Sequence, residues 1–289
     1  MSPTSPRSRI APVLYFCALS AFGCACGSQT AAPRPGADTP VVWHSPAEDD
    51  WGGLRVATHG EGDVAVLLLH GYGARGDDLV DFAARLHDAV PALYVIPRGP
   101  LQSEGHHRGR AWFDPPASQQ RSARDRREAG RDARQSGARL EELLNTLESR
   151  GIPRERVIIA GFSQGAAMSA TLALCGERRV AGIALLSGSE LPRCADHDLA
   201  EGVPVFVAHG TSDAVLPIEE GMDAARELDE AGARVEPYLF AGGHVMNVAE
   251  REALERWLAR VVSGVSEAER DTVADGHDAP SPRGAAGAR

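Results

Sequence analysis

A single serine stands between two glycines in Gly161-Phe162-Ser163-Gln164-Gly165. A serine hydroxyl is a poor nucleophile at neutral pH. It attacks a carbonyl carbon when a histidine takes its proton and a carboxylate orients that histidine. Downstream carboxylates include Glu190, Asp196, Asp198 and Asp213, and the downstream histidines are His197, His209, His244 and His277. No Cys-x-x-Cys or Cys/His spacing marks a metal centre, and His106-His107 read as an exposed loop, so no metal or organic cofactor is expected. The chain contains no lysine, which excludes a lysine Schiff base, a Ser-Lys dyad and a P-loop lysine.

The elements around the serine decide which partners it can reach. Val64–His70 (VAVLLLH) is a continuous apolar run, the pattern of a strand buried on both faces. Strand patterns recur at Ala92–Pro97, Val157–Gly161, Val180–Gly188, Val203–Gly210 and Ala233–Phe240. Helical patterns alternate with them at Asp77–Val90, Arg124–Arg150, Gln164–Leu174, Pro217–Ala231 and Met246–Val261. The alternation predicts an α/β fold with a mostly parallel sheet and helices on both faces. Functional groups then collect at the carboxyl ends of the strands.

Ser163 falls at a strand-to-helix junction. A sharp turn there exposes the hydroxyl above the sheet, beside a helix N-terminus whose free amides favour a developing oxyanion. On such a fold the partners follow in the order serine, acid, histidine. Asp213 follows the strand ending at Gly210, and His244 follows the strand ending at Phe240. His209 precedes the acid, and His197 sits in a polar loop. Asp213 and His244 are therefore the expected partners. Leu216 and Val245 beside them, with Trp112 and Phe113, are candidate pocket residues. His70 precedes the serine, so it reads as a structural residue that holds its loop by a hydrogen bond.

LLLHGYGARGDDLV (Leu67–Val80), PRGP (Pro97–Pro100), RAWFD (Arg110–Asp114), GFSQGAAMS (Gly161–Ser169), HGTSDAVLP (His209–Pro217) and GGH (Gly242–His244) occur in this order. With them the chain resembles the phospholipase/carboxylesterase group of α/β-hydrolases, which includes the acyl-protein thioesterases, from about Leu54 to Val262. The resemblance implies an α/β-hydrolase fold and a serine esterase. Ser163 is then nucleophile, Asp213 the orienting acid and His244 the general base. The backbone amides of Tyr72 and Gln164 form the oxyanion hole, and no cofactor is needed.

The formal charge of −10 offers no basic surface, so no nucleic-acid partner is expected. The arginines of SARDRREAGRDAR are interleaved with Asp125, Glu128 and Asp132, which reads as an ion-paired, solvated face. Residues 1–23 carry Arg7 and Arg9 before a short apolar stretch, the pattern of an export signal. Cys24 then resembles a lipoprotein acylation site, which implies a membrane partner through an N-terminal lipid; secretion is the alternative. Residues 24–50 read as a flexible tether, 51–263 as one α/β-hydrolase domain and 264–289 as a disordered tail. Of the five cysteines, Cys17 lies in the leader and Cys24 and Cys26 directly after it, leaving Cys175 and Cys194 as a disulfide pair suited to an exported chain. The expected substrate is a small-molecule or lipid ester, with lysophospholipids and thioesters included. Two alternatives remain open: an exported esterase of feruloyl or acetyl groups on polysaccharide, and a surface binding protein without catalysis.

Overall fold

The central runs are apolar at every position, so each strand must be covered on both faces. The computed structural model shows how. It describes residues 40–45, 51–104, 106, 108–114, 123–176, 178–188, 191–192 and 194–275, with side chains only partly described at the start of α2, at position 197 and at the end of α5. The strands are β1 (Val42–His44), β2 (Val56–His59), β3 (Ala65–Leu69), β4 (Leu93–Pro97), β5 (Leu101–Gln102), β6 (Arg110–Ala111), β7 (Val157–Phe162), β8 (Gly182–Leu186), β9 (Pro204–Gly210) and β10 (Arg234–Phe240). The helices are α1 (Val80–Ala89), α2 (Ala123–Ser149), α3 (Gln164–Leu174), α4 (Ile218–Glu230) and α5 (Val248–Asp275).

Eight strands form one sheet in the order β1-β2-β4-β3-β7-β8-β9-β10. β1 and β2 pair antiparallel with each other, as do β2 and β4, and the remaining pairs are parallel. This is the expected α/β-hydrolase architecture, a single domain with a mostly parallel sheet. The period-two geometry of a strand divides the core. Ala65, Leu67, Leu69, Val157 and Ile159 face one apolar layer under α2, α3 and α4. Val66, Leu68, Ile158 and Ala160 face the other, which Leu86 of α1 and Leu254, Trp257 and Leu258 of α5 close. Helix α3 is nearly all small or apolar, and it is buried along most of its length.

Two boundaries differ from expectation. Val42–His44 lies inside the span read as a tether, yet forms the sheet's edge strand, with the His44 Nε2 3.0 Å from Thr58 Oγ1 and the Arg55 guanidinium over the Trp43 ring. The closing helix runs past 264 to Asp275, because Val262 and Val265 continue its apolar stripe onto the core. The export signal over 1–23, Cys24, the rest of the tether except residues 40–45, and residues 276–289 lie outside the described residues. β2 and the β5–β6 hairpin had no distinct signal in the sequence.

A disulfide joins Cys175, just after α3, to Cys194, with Cα atoms 5.3 Å apart and 19 residues of separation. Beside it, Arg154 is buried and donates to both carboxylate oxygens of Glu141 (2.6 and 3.0 Å) and to the Leu172 carbonyl (2.7 Å), tying α2 to α3. Closing a loop of this size stabilises the fold by about 3 kcal/mol through the unfolded chain. Thermal unfolding with and without reductant checks this: reduction should lower the Tm of the native chain, and a Cys175→Ala/Cys194→Ala variant should be insensitive to reductant.

Candidate active site

The Gly-x-Ser-x-Gly stretch is explained by backbone contacts. A Cβ on Gly161 would stand 2.2 Å from the Gly165 carbonyl oxygen, and a Cβ on Gly165 would stand 2.1 Å from that of Leu69. Only glycine lets α3 begin so close to β3 and β7. The reversal is completed at Ser163, where φ is 54° and ψ −117°. That conformation is unfavourable for a side chain by about 1–3 kcal/mol and persists because its surroundings hold it. The Ser163 amide donates to Leu186 O on β8 (2.9 Å), and its carbonyl accepts from Ala166 N–H (2.9 Å). Gln164 opens α3, so its amide has no carbonyl four residues back within the helix.

The Gln164 side chain, unassigned by sequence reasoning, anchors this turn. Its Oε1 accepts from Trp112 N–H (2.9 Å), and its Nε2 donates to Phe113 O (2.7 Å). Trp112 is buried whole, donates from Nε1 to His70 O (2.9 Å) and accepts from Ser136 Oγ at its carbonyl. It supports the site from beneath and offers no surface to a substrate. Phe113 is half-buried against the same core.

His70 ends β3 in a hydrogen-bonded brace. Nε2 accepts from Gly99 N–H (2.9 Å), and Nδ1 donates to Gly71 O (2.8 Å). Burial, the largest influence, pushes its pKa down to about 4, against a smaller upward pull from the Gly71 carbonyl. The brace shapes the turn at Gly71-Tyr72-Gly73, where Gly73 N–H donates to Arg110 O (2.9 Å). A Cβ on Gly71 would lie 3.4 Å from that of Ser163, so this turn touches the serine. The Tyr72 hydroxyl accepts from Glu104 N–H (2.9 Å), which turns the ring toward the β5–β6 loop.

The loops after β9 and β10 are bonded to each other: Thr211 N–H donates to Phe240 O and Ser212 N–H to Gly242 O, each at 2.9 Å. This crosslink brings Asp213 and His244 together. His244 Nδ1 lies 2.7 Å from Asp213 Oδ2, while Asp213 Oδ1 accepts the amides of Val215 (2.8 Å) and Leu216 (2.9 Å). The Asp213 side chain is 0% exposed and that of His244 15%. Burial alone would raise the Asp213 carboxyl, but the Leu216 amide, His244 and the Val215 amide outweigh it and hold its pKa below the ordinary value. The His244 ring packs 4.8 Å from that of Phe162, the residue before Ser163. Thus the Asp213–His244 half of the expected relay is a direct hydrogen bond, and His244 is linked to the Ser163 turn by its packing on Phe162. Leu216 is half-buried and Val245 is exposed beside His244. A small apolar recess bounded by Leu79, Phe82, Phe162 and Met246 adjoins the site. Among the described residues, no cluster of three or more His, Cys, Asp or Glu is placed to hold a metal.

Residues 56–262 match the model of the phospholipase/carboxylesterase family. The chain belongs to this family. The chain is similar to acyl-protein thioesterase 1 of Eremothecium gossypii, 29% identical over 174 residues that cover 57% of this chain and 72% of that protein. Carboxylesterase SOBER1 of Arabidopsis thaliana is 26% identical over 216 residues, covering 70% and 92%. Among solved structures, a Bacillus cereus carboxylesterase superposes with a TM-score of 0.60 at 22% identity, covering 72% of this chain and 94% of that one, and supports the fold. This phospholipase/carboxylesterase member is a serine hydrolase acting on carboxylic ester bonds.

The depressed pKa of His70 carries a pH signature. In the unfolded chain its imidazole takes a proton below about pH 6.5, whereas the folded form resists protonation until about 4. Its contribution to stability is complete above the unfolded value and is lost as pH falls toward the folded one. Denaturant unfolding should therefore show stability falling between pH 6.5 and 4, by up to about 3 kcal/mol from this residue. His70→Asn should flatten that slope.

Proposed function

We propose that Ser163, His244 and Asp213 form the nucleophile, general base and orienting acid of an ester hydrolase working through an acyl-enzyme. The observation that carries the reading is the short His244–Asp213 hydrogen bond presented beside a serine held at positive φ on a helix N-terminus. Ser163 Oγ attacks the acyl carbonyl carbon while His244 Nε2 takes its proton. Asp213 fixes the imidazole with its hydrogen on Nδ1 and balances the charge it gains. The backbone amides of Gln164 and Tyr72 receive the oxyanion, and each such donor contributes about 3 kcal/mol. Collapse expels the alcohol or thiol, which leaves with the proton from Nε2. Water then attacks the acyl-enzyme by the same path and frees the acid.

The relatives' names support oxygen and thiol esters alike as substrates. The Cys175–Cys194 disulfide and the N-terminal pattern together support an exported enzyme anchored by a lipid on Cys24.

A fluorophosphonate probe should label the protein, and Ser163→Ala should lose both labelling and p-nitrophenyl ester hydrolysis; full hydrolysis by that variant would refute the assignment. Labelled palmitate should enter the wild-type chain and not Cys24→Ala.

A further inference from the structure

Sequence order sets His209 aside as a base, yet the fold buries it directly behind the acid. Its side chain is 0% exposed. Nε2 lies 3.0 Å from Leu216 O and 3.4 Å from Asp213 Oδ2. Both neighbours are acceptors, so the ring hydrogen sits on Nε2. Nδ1 has no hydrogen-bond partner and faces Gly221 of α4, where a Cβ would stand only 2.4 Å away. Glycine at 221 therefore leaves just enough room for the ring between α4 and the acid loop. A buried nitrogen without a partner is unfavourable by about 1–3 kcal/mol, so the ring is not placed there by packing alone.

The contacts close a circuit. His209 holds the Leu216 carbonyl, the Leu216 amide holds Asp213 Oδ1, and His244 holds Asp213 Oδ2. We infer that His209 is a positioning residue: it fixes the 213–216 turn, keeps Oδ2 aimed at His244 and thereby sets the orientation of the general base. This rests on the Ser163–His244–Asp213 reading above. His209 touches neither substrate nor reacting atoms.

The test compares His209→Met with His209→Gln. The two side chains are similar in length, and only glutamine carries a donor. In His209→Met, kcat should fall about tenfold with KM unchanged, the value of one hydrogen bond at this site. The far-downfield proton resonance of the Asp213–His244 hydrogen bond should move upfield or broaden. His209→Gln should restore kcat to within about threefold and return the resonance. A folded His209→Met enzyme with wild-type kcat and an unmoved resonance overturns the inference. If His209→Met does not fold, Gly221→Ala displaces the same ring by its added methyl, and an unchanged kcat and resonance there overturn it equally. Failure of the nucleophile assignment is seen separately, as a wild-type chain that neither labels nor hydrolyses, while the resonance still reports whether His209 orients the pair.

Discussion

The backbone contact between Gly165 and Leu69 O governs the upper edge of the sheet. Helix α3 starts so close to β3 that no side chain fits at Gly161 or Gly165, and the chain can turn only by placing Ser163 at φ 54°. The strain is tolerated because the elbow is braced from several sides. β8 holds the Ser163 amide, Gln164 clamps Trp112 and Phe113, and Trp112 in turn holds His70 O. Strain gathers at this edge: Ser187, at the end of β8, is another of the described non-glycine residues with positive φ.

The brace and the relay are different kinds of structure. Around Ser163 the supports are mostly neutral hydrogen bonds in a dry core, which hold geometry without introducing charge. Around Asp213 the supports address a carboxylate, and they hold its charge against the burial that opposes it. Two histidines illustrate the division. His70 is buried between a donor and an acceptor and serves the loop opposite Ser163. His244 keeps a partly exposed edge, as its proposed role as general base requires.

Much of this was legible in the sequence where patterns were long. The runs at Val64–His70 and Val157–Gly161 and the boundaries of α3 stand as expected, because full burial on two faces leaves an unbroken apolar signature. The short edge strand β1, its neighbour β2 and the β5–β6 hairpin were not legible. Segments of two to four residues have no periodicity to read, and β2 is completed by β4, which lies beyond β3 and α1. The overrun of α5 past 264 is not legible because a polar composition conceals Val265, which still packs on the core.

The sequence by itself determined the layer order, the position of the turn that carries Ser163 and the order in which acid and histidine follow it. These depend on local periodicity and on which residues are glycine, and both are properties of neighbours along the chain. Only the tertiary structure decided that the loops after β9 and β10 are stitched together so that Asp213 meets His244 at 2.7 Å. The same holds for Gln164 reaching Trp112 and for His209 standing behind the acid. Those contacts join residues many positions apart, and their lengths are set by how helices pack on a twisted sheet.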